Sequence, residues 1–158
     1  MNQPTPFNIC QLGANDLNLM EGLVTMFGQA FDDLETYTGK RPSAEYTTRL
    51  LGRDTFIALA ALIDGEVVGG LAAYELHKFE QERSEIYLYD LAVSAEHRRR
   101  GIATALIEKL REIAAQRGAW VIFVQADTDE DDKPAQALYS RLGEREEVLH
   151  FDIPVGEK

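Results

Sequence analysis

Apolar residues recur along this chain at two spacings, one helical and one strand-like. Leu17, Met20, Leu23, Val24 and Phe27 fall at helical intervals behind Asn15 or Asp16 as a cap, and predict a helix that fades near Phe31-Asp32-Asp33. Gly39 and Pro42 punctuate the loop that follows. Ser43 then caps a shorter helix carrying Tyr46, Leu50 and Leu51. Ile102, Leu106, Leu110 and Ile113 give one apolar face to a helix from Gly101 to Arg117, which Gly118 ends. Asp132 and Pro134 start a last helix, lined by Ala135, Leu138, Tyr139 and Leu142 and ended by Gly143. Between these lie strand patterns at Phe7 to Gln11, Phe56 to Ile63, Val67 to Leu76, Ser84 to Val93, Trp120 to Ala126 and Glu146 to Ile153. The second, continuously apolar, and the fifth are expected to be buried. Asp64-Gly65 predicts a tight hairpin turn, and Gly69-Gly70 a bulge or a close backbone contact. The order β-α-α-β-β-β-α-β-α-β is a mixed α/β (α+β) sheet with antiparallel hairpins, read as a single domain over residues 1–158.

Charge narrows the partners. Among 158 residues, 27 are acidic and 16 basic, a net charge of −11. A general nucleic-acid binder needs a dominant positive surface, and an anionic membrane repels such a chain too. A cationic small molecule or a basic peptide fits. The single cysteine, Cys10, and three scattered histidines, His77, His97 and His150, make no metal motif, so no metal is expected. His77 and His97 read as loop residues. MNQPTPFNIC does not read as a signal peptide, so none is expected, and the longest apolar run, Phe56 to Ile63, is too short to span a bilayer. A cytoplasmic protein is expected.

The most informative segment is His97-Arg98-Arg99-Arg100-Gly101-Ile102-Ala103-Thr104, which leaves a strand and enters a helix. A helix N-terminus already carries about half a positive charge, so each added arginine is unfavourable there by a few tenths of a kcal/mol, roughly. The conflict disappears if an anion sits in the turn, held by free backbone N–H groups and neutralised by arginine. Gly101 and Ala103 are small enough for the backbone to approach phosphate oxygens. Neither nucleotide-binding glycine template, G-x-G-x-x-G or G-x-x-x-x-G-K-[ST], is present.

The pattern Arg98-x-x-Gly101-x-Ala103 instead resembles the pyrophosphate-binding signature of the GNAT superfamily of acetyl-CoA-dependent N-acetyltransferases. Leu91-Ala92-Val93 resembles that family's pantetheine-binding strand. Ala135-x-x-Leu138-Tyr139 with Gly143 resembles its second motif, whose tyrosine lies near the thioester sulfur. The resemblance implies acetyl-CoA as acetyl donor and a sheet that splays where it enters. The implied cofactor residues are Leu91, Ala92, Val93, Arg98, Arg99, Arg100, Gly101, Ile102, Ala103, Thr104, Asp132, Ala135 and Tyr139. Two departures stand out. Asp132 occupies a position where the family often has Asn. Only one strand follows the last helix, so the acceptor site is either built differently at that end or completed by a second copy, as a homodimer. Blocks including Lys78-Phe-Glu-Gln81, Arg83-Ser-Glu-Ile-Tyr87, Tyr89-Asp-Leu-Ala-Val-Ser94, Glu96-His-Arg-Arg99 and Val124-Gln-Ala-Asp127 look like an aminoglycoside 3-N-acetyltransferase of the gentamicin-resistance type. That resemblance implies a cationic aminoglycoside acceptor, acetylated at the 3-amino group of its 2-deoxystreptamine ring.

An amine is mostly protonated at neutral pH and must lose a proton before it attacks, so a carboxylate or a water chain has to accept one. Asp90 is the first candidate and Glu85 the second. Strict alternation puts Glu85, Tyr87, Tyr89, Leu91 and Val93 on one face and Asp90 on the other. A bulge, which the family resemblance implies, re-aims Asp90. A backbone N–H near Leu91 is the candidate to face the carbonyl oxygen, and Tyr139 the candidate acid for the departing thiolate. No covalent enzyme intermediate is expected, since Cys10 is far in sequence from the motif. Acidic clusters at Asp32-Asp33-Glu35, at Asp127 to Asp132, and at Glu144, Glu146, Glu147 and Asp152 suit a polycation. One carboxylate 4 Å from an ammonium is worth about 4 kcal/mol at an effective dielectric near 20, before desolvation. The candidate substrate contacts are Asp32, Asp33, Tyr87, Tyr89, Asp90, Asp127 and Asp152. Two rivals stay open: the same chemistry on a polyamine or a protein N-terminus, and a non-catalytic acyl-CoA-binding module.

Overall fold

The computed structural model describes residues 5–157; residues 1–4, part of the segment read as no signal peptide, and residue 158 lie outside them. Two compact units divide the chain, one ending at Gln125 and the other starting at Ala126.

The first unit holds β1 (Asn8–Gln11), α1 (Leu17–Ala30), α2 (Ala44–Leu51), β2 (Phe56–Ile63), β3 (Glu66–His77), β4 (Ser84–Val93), α3 (Ile102–Arg117) and β5 (Ala119–Val124). A π-helical turn covers Glu35–Gly39, and a 3-10 turn Ala95–His97. The strands form one mixed sheet in the order β1-β2-β3-β4-β5, antiparallel except for the parallel β4–β5 pair. A parallel pair needs a crossover, and α3 supplies it.

Local chemistry accounts for the boundaries. Ser43 Oγ accepts the Tyr46 N–H at 3.1 Å and caps α2. Asp16 stands at the N-cap of α1, but its carboxylate accepts the Gly13 N–H at 2.7 Å, so it closes the preceding turn instead of the helix. Asp64 and Gly65 have φ of 51° and 81°, the left-handed pair that a two-residue hairpin turn needs.

Gly69 and Gly70 show how the layers stack. A Cβ on Gly70 would run into Leu23 of α1, and one on Gly69 would come within 3.1 Å of Ile102 of α3. Successive strand residues point to opposite faces, so α1 and α3 cover opposite sides of the sheet. Leu23, Ile57, Leu59, Leu71, Ile86, Leu88, Ile102, Leu106 and Leu110 are fully buried between these layers. A polar anchor sits among β3, β4 and α3. Buried Glu75 accepts from Ser84 Oγ at 2.6 Å and from Arg117 Nη1 at 2.8 Å. Burial works to raise the Glu75 carboxyl, but the bonds from Ser84 and Arg117 outweigh it and hold it below the usual carboxylate range.

Three expectations need correction. β5 is not buried: Trp120 is 53% exposed under the Arg83 guanidinium, because among the described residues β5 pairs with β4 alone. His77 ends β3 and is not a loop residue. The strand expected at Glu146 to Ile153 does not form.

In the second unit, a 3-10 turn at Glu130–Asp132 leads into α4 (Lys133–Leu142), with Pro134 in its first turn and Gly143 at its end. Residues 144–157 contain no strand. Val148, Leu149, Phe151 and Ile153 are between 68% and 85% exposed. Alternation makes a strand only where a neighbour completes the hydrogen-bond ladder, and among the described residues none does so for this segment. No helix of the described residues is long and apolar enough to cross a membrane.

Candidate active site

The β3–β4 ladder slips by one residue. Tyr74 faces Tyr87 and Ala73 faces Leu88, but Ala72 faces Asp90, so Tyr89 is the extra residue of a bulge. Ala72 and Tyr74 are two apart and share a face of β3, so Asp90 and Tyr87 share the corresponding face of β4. Strict alternation is thereby overturned for Asp90: the bulge turns it toward the side that carries the tyrosines.

That side is aromatic. Tyr89 meets Tyr74 and Tyr87 edge-on, with ring centroids 5.8 and 5.6 Å away. Tyr87 stacks on Phe123 of β5 at 4.7 Å, and its hydroxyl donates to Gln125 Oε1 at 2.7 Å. Asp90 accepts from the Tyr37 hydroxyl at 2.9 Å through Oδ2. Burial pushes the Asp90 carboxyl up, and the Tyr37 bond pulls it partway back. Burial and the Asp90 charge hold the Tyr37 hydroxyl well above the ordinary phenol range.

Tyr37 was not singled out as a functional residue from sequence. It sits on the π-helical turn after α1, whose start Asp33 fastens by accepting the Thr36 N–H at 3.2 Å. The turn lies close to α1 because residue 28 is glycine. A Cβ there would stand 3.2 Å from both Tyr37 Cβ and Leu34 Cδ2. Asp32 and Asp33 are exposed on this same segment, and the Asp33 charge reaches Tyr37.

β4 and β5 part company beside Asp90. Their pairing ends at Leu88↔Val124, so Tyr89 to Val93, including Leu91 and Ala92, have no strand partner on the β5 side among the described residues. The family resemblance implies a splay of the sheet, and the ladder between these two strands ends here.

The arginine turn leaves β4 through Ser94, whose N–H donates to the Val68 carbonyl at 2.8 Å. Arg98 Nε donates to the Val93 carbonyl at 3.2 Å. Arg99 and Gly101 take left-handed conformations with φ of 61° and 78°. For a non-glycine residue such a conformation costs about 1 kcal/mol or more and persists where surroundings demand it. α3 starts with no acidic residue in its first turn and no side-chain cap, so its leading N–H groups have no partner within the helix. Those of Ile102, Ala103 and Thr104 are among them. The Ile102 side chain is buried, so only its backbone is available. A Cβ on Gly101 would meet nothing within 4 Å; the mouth of the helix is open. This donor set, with exposed Arg98 and Arg99 beside it, fits a diphosphate. Arg100 is turned elsewhere, toward His97 Nδ1 at 3.0 Å and the Thr5 carbonyl.

Glu85 lies apart from Asp90. Glu85 is five positions from Asp90 on β4, roughly 16 Å along the strand, and is ion-paired with Lys78 at 3.0 Å. Asp127, Asp132, Ala135, Tyr139 and Asp152 belong to the second unit. There Asp132 Oδ2 accepts the Asp127 N–H at 2.7 Å. Ala135 and Tyr139 are half-buried on α4, and Asp152 Oδ1 lies 2.9 Å from His150 Nε2.

A sequence model of the Acetyltransferase (GNAT) family matches residues 22–143. An uncharacterized N-acetyltransferase of Archaeoglobus fulgidus is 33% identical over 105 residues, 65% of this chain and 71% of that protein. Among solved structures, an aminoglycoside acetyltransferase from an uncultured soil metagenomic sample is 69% identical, with a TM-score of 0.94 over 96% of this chain and 99% of that one. A second aminoglycoside acetyltransferase from such a sample, in complex with sisomicin, is 31% identical, with a TM-score of 0.84 over 95% of this chain and 97% of that one.

Proposed function

Because this chain belongs to the GNAT acetyltransferase family, we propose that it uses acetyl-CoA to acetylate an aminoglycoside, at the 3-amino group of the 2-deoxystreptamine ring. The acceptor class rests on the 69% identity to an aminoglycoside acetyltransferase and on the sisomicin complex of the second relative. The 3-position rests on the sequence blocks between Lys78 and Asp127. The observation that carries the chemistry is the bulge at Tyr89, which turns Asp90 to the tyrosine face beside the β4–β5 gap.

Acetyl-CoA supplies the acetyl group as a thioester. Arg98, Arg99 and the leading N–H groups of α3 hold its diphosphate, and the backbone of Leu91 to Val93 holds its pantetheine arm. The acceptor binds as an ammonium, drawn by Asp32, Asp33 and Asp90; for Asp127 and Asp152 the acceptor role rests on the sequence alone. Asp90 accepts the ammonium proton, which its raised carboxyl favours over that of an ordinary aspartate. A backbone N–H near Leu91 faces the carbonyl oxygen as charge develops there. The family resemblance implies Tyr139 as the acid for the departing thiolate. Glu85 is not assigned the base role, since Lys78 already holds its charge.

The test is an acetyl-CoA assay across gentamicin, sisomicin, spermidine and N-terminal peptides, followed by NMR of the product. Turnover on the aminoglycosides with the acetyl group on N3 is expected. Acetylation at another amino group would overturn the position, and activity on spermidine or peptides alone would overturn the acceptor class.

A further inference from the structure

Resting on Asp90 as the proton acceptor, we propose that Tyr37 is the positioning residue for its carboxylate, holding Oδ2 so that Oδ1 is the oxygen presented to the ammonium of the acceptor. Across the ladder Asp90 faces Ala72, whose methyl group offers its carboxylate no hydrogen bond. The hold comes instead from a segment 53 residues away, through a single hydrogen bond of 2.9 Å.

The donor is itself rigidly placed. The Tyr37 ring packs against Phe31 at 5.7 Å and Phe27 at 6.1 Å, and those two stack on each other at 5.7 Å. Phe27 is buried on α1, so the aromatic column ties Tyr37 to the core. The missing Cβ at Gly28 lets the turn settle onto the helix. The titratable groups around Asp90 are Tyr37 from this segment (with Asp33 acting on Tyr37), Tyr74 from β3, and Tyr87 and Tyr89 from β4. All are acids or phenols, so Tyr37 supplies orientation and a hydrogen bond where, among the described residues, no cation pairs with Asp90. Burial and the Asp90 charge both oppose its ionisation, so it remains a donor across the working pH range. Loose placement of a reacting group costs rate even when the group remains present.

The experiment compares the pH dependence of kcat/KM for sisomicin in wild type, Tyr37→Phe and Asp90→Asn. Tyr37→Phe keeps the ring and its packing but removes the donor that favours the ionised carboxylate. Its acid limb is expected to move to higher pH, with kcat/KM on that limb down roughly tenfold and KM for acetyl-CoA unchanged. An acid limb unmoved in Tyr37→Phe, while Asp90→Asn loses its limb, overturns the role of Tyr37 and leaves Asp90 as the base. A limb that survives in Asp90→Asn overturns the base assignment itself, and this inference with it. If Tyr37→Phe fails to fold, Tyr37→3-fluorotyrosine decides. Its more acidic hydroxyl donates more strongly, so the limb is expected to move to lower pH, and an unmoved limb overturns the proposal.

Discussion

Ala72 of β3 stands opposite Asp90 of β4, one position out of step with the Ala73–Leu88 pair next to it. That slip decides which face the carboxylate occupies. Without it, Asp90 would point away from Tyr74 and Tyr87.

The half-buried carboxylate of Asp90 has a stability consequence. An acid raised in the folded state binds more protons folded than unfolded between its ordinary value, 3.8, and its raised one. Stability attributable to Asp90 therefore falls as pH rises through that window, and the ionised group is a cost at neutral pH. Asp90→Asn is expected to hold or raise Tm while lowering kcat, measured by thermal unfolding at pH 7. A Tm lower by several degrees would contradict this sign.

Glu75 has the opposite sign. Its lowered carboxyl contributes stability above the ordinary value of 4.5, and that contribution is lost as pH falls through the folded value. Glu75→Gln leaves Arg117 mostly buried, with the exposed Asp54 carboxylate at 3.6 Å as its remaining ionic partner, at a cost of about 2 kcal/mol at pH 7. Urea unfolding at neutral pH and in acid tests it: wild type and variant should differ at the first and converge at the second.

Much of the fold was legible because its determinants are local. The Ser43 cap, the Asp64-Gly65 turn and the apolar face of α3 need only a few neighbouring residues, and each stands where the sequence places it. What failed depends on partners distant in sequence. Counting by twos puts Asp90 on the wrong face, since a bulge belongs to the ladder between two strands; only the family resemblance supplied it. Tyr37 carries no local mark, because its importance lies in a contact 53 residues away. The alternation from Glu146 to Ile153 reads as a strand, yet period alone does not supply the neighbour a strand requires.

The arginine turn makes a binding prediction. Arg98→Ala and Arg99→Ala remove exposed charges beside the mouth of α3, and each is expected to weaken coenzyme A roughly tenfold at low salt. Arg100→Ala is expected to affect it less, because that guanidinium faces His97 and Thr5. Calorimetric titration ranks the three variants, and equal losses would contradict the ranking.

The proposed role of Asp32 and Asp33 makes another. Asp32 and Asp33 are exposed, so their attraction for a polycation is screened as salt rises. KM for sisomicin is expected to climb several-fold, roughly, between 0.1 and 1 M salt as the Debye length falls from about 10 to 3 Å, with kcat little changed. A flat KM would remove the carboxylates from recognition.

The most direct measurement is sisomicin turnover at saturating acetyl-CoA, followed across pH in wild type and Asp90→Asn. Wild type should lose kcat/KM as acid protonates the carboxylate, and the variant should be at least about a hundredfold slower with no acid limb. A variant that keeps both rate and limb would mean that the proton leaves the amine by another route.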